Sequence, residues 1–167
     1  PLSPYSPYLT PMKKVQITAT YSSTTYSIFS GFITSYVNTQ PKDATEVAYT
    51  TIQAVDTFRL AQNAQISTVT AAISGDLSGT RINEILDQIS WPATMRQIDA
   101  GQTTLQADPG TARTSLGAMQ TVADSEYGAI YVDSDGSFVF KDRLTSTASI
   151  GATPTLFADD GTGISYA

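Results

Sequence analysis

The sequence predicts an α+β fold: a β-rich region followed by a small α/β domain of helix, strand, helix and β-hairpin. Two observations predict it. From Lys13 to Tyr21 apolar residues recur at every second position, and β-formers are dense in the two runs that follow as far as Val55. From Thr80 to Arg143 the period lengthens twice to that of a helix, and the stretch ends in a hairpin closing with FVFKDR.

Residues 1–12 carry prolines at 1, 4, 7 and 11 among Tyr and Ser. Proline at this density prevents helix and favours extended chain. Tyr5 and Tyr8 are suited to pinning such an arm onto a neighbouring surface. In the first strand Val15, Ile17, Ala19 and Tyr21 alternate with Lys14, Gln16, Thr18 and Thr20. Ser22 to Thr25 read as a turn, and Tyr26 to Val37 as a second strand. Gly31 interrupts that strand and predicts a bulge or a close backbone approach. Glu46 to Val55 forms a third strand, and Asp56 reads as the N-cap of a short helix, TFRLAQ. Asn63 to Asp76 is ambiguous, and a domain boundary is placed near Gly75.

Ser78 or Thr80 can cap the next helix, whose stripe is Ile82, Ile85, Leu86 and Ile89. Pro92 stops it. Gln97 to Ala107 reads as extended. Asp108-Pro109 has the form of an N-cap and first helical residue. The helix it opens buries Ala112, Leu116, Met119 and Ala123, with Val122 beside them. Gly128 then takes the left-handed position. AIYVDSDGSFVFKDR is strand, tight turn and strand. The expected organisation is 1–75 as a β-rich domain with its arm, 76–145 as the small α/β domain, and 146–167 as a linker and the start of a further β-rich region. The chain opens at Pro1 without Met and closes on a strand-like step, so it reads as a piece of a longer polypeptide.

Composition excludes several function classes. There is no His and no Cys, which removes the commonest general base, thiolate chemistry and Cys-type zinc sites. Net charge is -6 with nine Lys and Arg, and the only adjacent cations are Lys13-Lys14, which suit a strand edge as well as a phosphate. No apolar run approaches membrane-spanning length, so no stable membrane insertion is expected.

The remaining constellations are weak. Asp133-Ser134-Asp135-Gly136 resembles the start of a calcium loop, but the fifth and twelfth positions are Ser137 and Leu144, and a hairpin turn fits the flanking strands. Asp159-Asp160-Gly161 reads as a turn for the same reason. Glu84, Asp87, Asp124 and Glu126 are candidate carboxylates for glycoside hydrolysis, but solvated helix faces explain all four. Trp91, the only Trp, is a candidate sugar-stacking residue, with core packing the simpler reading. No catalytic, cofactor-binding or metal-ligating residue is assigned, and no enzymatic activity is expected.

RINEILDQISWPATMRQIDAGQTTLQA, followed by SLGAMQTVADSEYGAIYVDSDGSFVFKDR, resembles the tail-hub family of tailed phages. More closely, it resembles the minor tail proteins of long-tailed phages infecting actinobacteria, related to baseplate hubs. The Pro-Tyr arm with its basic strand start, and LFADDGTGISYA, are similar to the family's flanks. The resemblance implies a tube-like β-rich domain and a structural subunit of the tail tip that caps the tube. It implies self-association into a ring, a trimer foremost. Partners would be the distal-tail ring, tape-measure and tip or receptor-binding proteins, with DNA only passing through the lumen. The implied location is the distal end of the tail in the virion. The family supplies no catalytic residue, cofactor or metal for this segment. A distal-tail ring protein and a carbohydrate-binding adhesin module are the alternatives.

Overall fold

Strands β1 (Lys14–Tyr21), β2 (Thr24–Thr39) and β3 (Tyr49–Val55) pair antiparallel in the order β1-β2-β3. The computed structural model describes residues 10–40, 42–43 and 48–150. Residues 1–9, with Tyr5 and Tyr8, lie outside them, as does the Asp159-Asp160-Gly161 turn. The β1–β2 turn is tighter than the sequence predicts. Only Ser22 and Ser23 are unpaired, both at positive φ (47° and 65°), the geometry whose twist matches that of the strands it joins.

The sheet is staggered. β1 pairs with β2 from Thr24 to Phe32, and β3 pairs with it from Phe32 to Thr39. Register slips skip Ile28 against β1 and Thr34 against β3, so two bulges flank Gly31 rather than fall on it. Gly31 is instead the close approach: a Cβ there would lie 2.3 Å from the Val55 carbonyl oxygen and 2.6 Å from the Phe29 ring.

α1 (Thr57–Asn63) follows β3. Asp56 stands at its N-cap, but its side chain makes no capping bond. Two short strands, β4 (Gln65–Ile66) and β6 (Arg113–Thr114), pair antiparallel. α2 (Ser78–Gln88) and α3 (Ser115–Glu126) pack on a mixed sheet of order β5-β8-β7. In it β5 (Arg96–Ile98) runs parallel to β8 (Phe138–Lys141), and β7 (Ala129–Val132) antiparallel. α4 (Arg143–Ile150) closes the described chain. The fold is α+β, as the sequence predicts.

The core joins Ile82, Ile85 and Leu86 of α2, Leu116, Met119 and Val122 of α3, and Phe138 and Phe140 of β8. Ala61, Ile66, Val69 and Ala72 enter the same cluster, so residues on both sides of Gly75 contribute. The hairpin tip meets the first sheet. Thr57 donates to the Gly136 carbonyl at 3.2 Å, and Gly136 sits so close to buried Ser30 that a Cβ would lie 2.9 Å from its hydroxyl.

Helix ends depart most from expectation. Neither Ser78 nor Thr80 caps α2; Leu77 precedes it, and the Ser78 hydroxyl serves another partner described below. α3 starts at Ser115, not after Asp108-Pro109, and Thr114 caps it by accepting from Gly117 N–H at 3.1 Å. Asp108 is diverted into a local turn, accepting from Gly110 N–H at 2.8 Å and pairing with Arg113. Ala112 is consequently exposed.

Both helices end in the same motif. After α2, Trp91 N–H donates to Leu86 and Ser90 N–H to Asp87, with Ser90 left-handed at φ 57°. After α3, Gly128 N–H donates to Ala123 and Tyr127 N–H to Asp124, with Tyr127 left-handed at φ 56°. These are Schellman closures, which glycine fills best. The residue that stops α2 is therefore Ser90, ahead of Pro92. Gly128 is not the left-handed residue; its Cβ would fall 2.5 Å from the Lys141 carbonyl oxygen. Tyr127 is 85% exposed, so its ring contributes little packing to offset the backbone cost. Tyr127→Gly is expected to raise stability by about 1 kcal/mol in thermal or denaturant unfolding. An unchanged or lowered midpoint would refute this account of the helix end.

Candidate functional site

The Asp133–Gly136 segment is the β7–β8 turn. Asp133 Oδ1 accepts from Ser134 N–H at 2.6 Å, Asp135 Oδ1 accepts from Ser137 N–H at 2.8 Å, and Gly136 has φ 91°. Ser137 N–H, with help from the Lys14 charge, holds the Asp135 carboxyl below its ordinary range. Among the described residues no group of three His, Cys, Asp or Glu is placed to hold a metal ion. Nor is any described helix long and apolar enough to cross a membrane.

The four candidate carboxylates do not form a site. Asp87 is exposed and pairs with Arg96 at 2.7 Å. Asp124 is exposed on α3. Glu84 is half-buried 3.5 Å from Arg81; burial pushes its carboxyl up, and the Asp76 charge adds to the effect. Trp91 is 9% exposed, its ring edge-on to Phe138 and its indole N–H donating to Met95 at 3.3 Å. A sugar could not stack on it there, so the adhesin reading loses its best residue.

Glu126 overturns the expectation of a solvated helix face. It is 0% exposed. Its Oε2 accepts from the Ser78 hydroxyl at 2.8 Å, Gln102 N–H at 3.0 Å and Thr103 N–H at 2.7 Å. Oε1 lies 3.7 Å from Arg143 Nε. Burial opposes ionisation, but the Thr103 and Gln102 N–H groups and the Ser78 hydroxyl outweigh it and lower the carboxyl's pKa. One carboxylate thus ties the end of α3 to the start of α2, the 101–103 loop and α4. The signal was in the sequence: Glu126 lies seven residues after Met119, on the buried stripe of α3.

The surface best suited to function is one face of the first sheet. Register places Val15, Ile17, Ala19 and Tyr21 of β1 on the same side as Tyr26, Phe29, Ile33 and Tyr36 of β2, with Ile52 and Ala54 of β3. Ile33 is buried, but Ile17, Tyr21, Tyr26 and Ile52 are all exposed, Tyr21 to 76%. On the opposite side Gln16 donates to Ser27, Thr20 bonds Thr25, and Ser35 donates to Gln53, with exposed Val37 and Tyr49 farther along it. It is on this second side that Ser30 and Phe32 meet the α/β unit. Normal patterning would turn an apolar face inward. Here a contiguous aromatic and aliphatic strip faces out, the mark of an interaction surface. Stagger adds to it, since each half of β2 has a neighbouring strand on one side only.

The fold has a counterpart among solved structures. The 43 kDa tail protein of prophage MuSo2 from Shewanella oneidensis matches 80% of this chain with a TM-score of 0.50 at 13% identity. The chain corresponds to 39% of that protein's length. At this identity the likeness establishes a shared fold. No protein-family model and no curated protein sequence matches the chain.

Proposed function

We propose that this chain belongs to a structural subunit of a phage tail, at the tail tip, where a hub caps the tube and organises tip attachment and DNA passage. The observation that carries the reading is the fold shared with a prophage tail protein over 80% of the chain. The outward apolar face of the first sheet supports self-association into a ring, and a trimer fits the hub reading. The 1–75 region would face the ring, with the 76–145 unit as a side domain. Other tail proteins are the further partners, and DNA only passes through. With a net charge of -6, Asp and Glu are expected to outnumber Lys and Arg on the surface facing the lumen.

Gold-labelled antibody against this chain should decorate intact virions at the distal tail end. Particle averaging there should give threefold density. Label along the tube, on the capsid or nowhere would sink the proposal. Sixfold density would transfer the chain to the distal-tail ring.

A further inference from the structure

Both sides of the first sheet keep large apolar side chains in solvent. On the first side the run starts at the β1–β2 turn with Tyr21 and Tyr26 and continues through Ile17 to Ile52. On the second side Val37 and Tyr49 stand together at the far end of β2 and β3. The α/β unit does not cover them. It meets this side at Ser30 and Phe32, and Val37 lies about 15 Å farther along β2. Residues 37–39 and 49–51 are exposed throughout.

The sheet is also almost without charge. Apart from Lys14 at the start of β1, none of its three strands carries an Asp, Glu, Lys or Arg. Strands that stay in solvent normally carry charge, lysine above all, against unwanted association. A surface poor in charge and rich in Tyr has instead the composition of an interface centre. A twofold contact pairing the first side with itself would leave Val37 and Tyr49 bare. Setting the first side of one copy on the second side of the next covers both. At about 200 Å² for each large side chain, the six expose about 700 Å² together. The Thr and Ser around them bring the contact near the roughly 1,000 Å² of a specific interface.

We propose that neighbouring copies stack their first sheets head to tail, the Ile17, Tyr21 and Tyr26 side of one on the Val37 and Tyr49 corner of the next. Such a contact uses two different surfaces of the same chain, and repetition closes it into a ring wherever the rotation closes. Each copy then gives one surface and receives the other, so no apolar side of the sheet is left open. The inference rests on the ring reading above and names the two surfaces that meet in it.

The chain has no cysteine, so single thiols can be placed without interference. Ile17→Cys and Val37→Cys both replace exposed side chains, so the fold should tolerate either. The two full-length variants are mixed at low concentration, concentrated together and treated with a short bis-maleimide. The mixture should give about tenfold more crosslinked dimer than either variant alone, because the contact raises the local concentration of unlike thiols. As much dimer from Ile17→Cys alone would mean a twofold contact and overturn the proposal. So would a mixture that gives none. Threefold density at the tail tip without a mixed crosslink would leave the tail reading standing and remove this contact alone.

Discussion

Glu126→Ala is expected to destabilise the chain by about 3–5 kcal/mol, because it strands buried donors built around one carboxylate. For a chain of this size that corresponds to a fall of about 10 °C in Tm. The Ser78 hydroxyl and the Gln102 and Thr103 N–H groups would lose their common acceptor, and Arg143 its counter-charge. Glu126→Gln keeps an acceptor oxygen and should lose less. The pH dependence follows from the lowered pKa. Such a group stabilises the fold above its unfolded pKa, near 4.5, and that contribution fades as pH falls through the lower folded value. Wild-type stability should therefore drop on acidification below about pH 4.5 more steeply than that of Glu126→Gln. Parallel pH profiles for the two proteins would remove Glu126 from this role.

Gly79→Ala is expected to cost about 3 kcal/mol or more, although alanine is the better helix former. Gly79 lies in the first turn of α2, where its N–H donates to the Ala100 carbonyl at 2.9 Å. A Cβ there would lie 1.9 Å from the Asp99 carbonyl oxygen and 2.7 Å from that of Ala100. Both obstacles are backbone, so no side chain can swing aside. Thermal or urea unfolding measures the loss, and a neutral result would mean that the 99–101 loop yields freely. The exposed helix position Gln88 provides the contrast, since Gln88→Ala should be near neutral.

What was legible in the sequence was what is local. The alternation at Val15, Ile17, Ala19 and Tyr21 and the stripe at Ile82, Ile85 and Leu86 are set by strand and helix period alone. The Asp-Gly hairpin at Gly136 is likewise a local conformational demand. The misses were tertiary. Asp108 looks like a helix cap, but its own turn and Arg113 claim its carboxylate. Ser90 and Tyr127 occupy left-handed positions that glycine fills best, and the backbone bonds that close each helix, not the side-chain type, set them there. α4 rises from a Ser/Thr-rich stretch of modest propensity, begun where Asp142 accepts from Thr145 N–H at 2.7 Å. Glu126 carries a charge that predicts solvent, while its place on the buried stripe of α3 sets its surroundings. The apolar face of the first sheet was visible as a pattern, but its outward direction was not, because alternation does not say which side meets solvent.

The mixed sheet also orders events during folding. Sheet β1-β2-β3 is built only from chain-adjacent strands, one pair joined by a two-residue turn, and such hairpins form in microseconds. The parallel β5–β8 ladder instead aligns Arg96 with Phe138, a sequence separation of about forty residues, and loop-closure entropy must be met before those contacts repay it. The slow step should be the arrival of β8, with the β1–β2 hairpin already present as a transient species showing its aromatic strip to solvent. Pulse-labelled hydrogen exchange would register this as early protection at Val15–Ala19 and late protection at Phe138–Phe140; the reverse order would exclude it. On that timetable the apolar face of the first sheet stands open before the α/β unit is complete, and any contact between copies made in that interval would compete with folding.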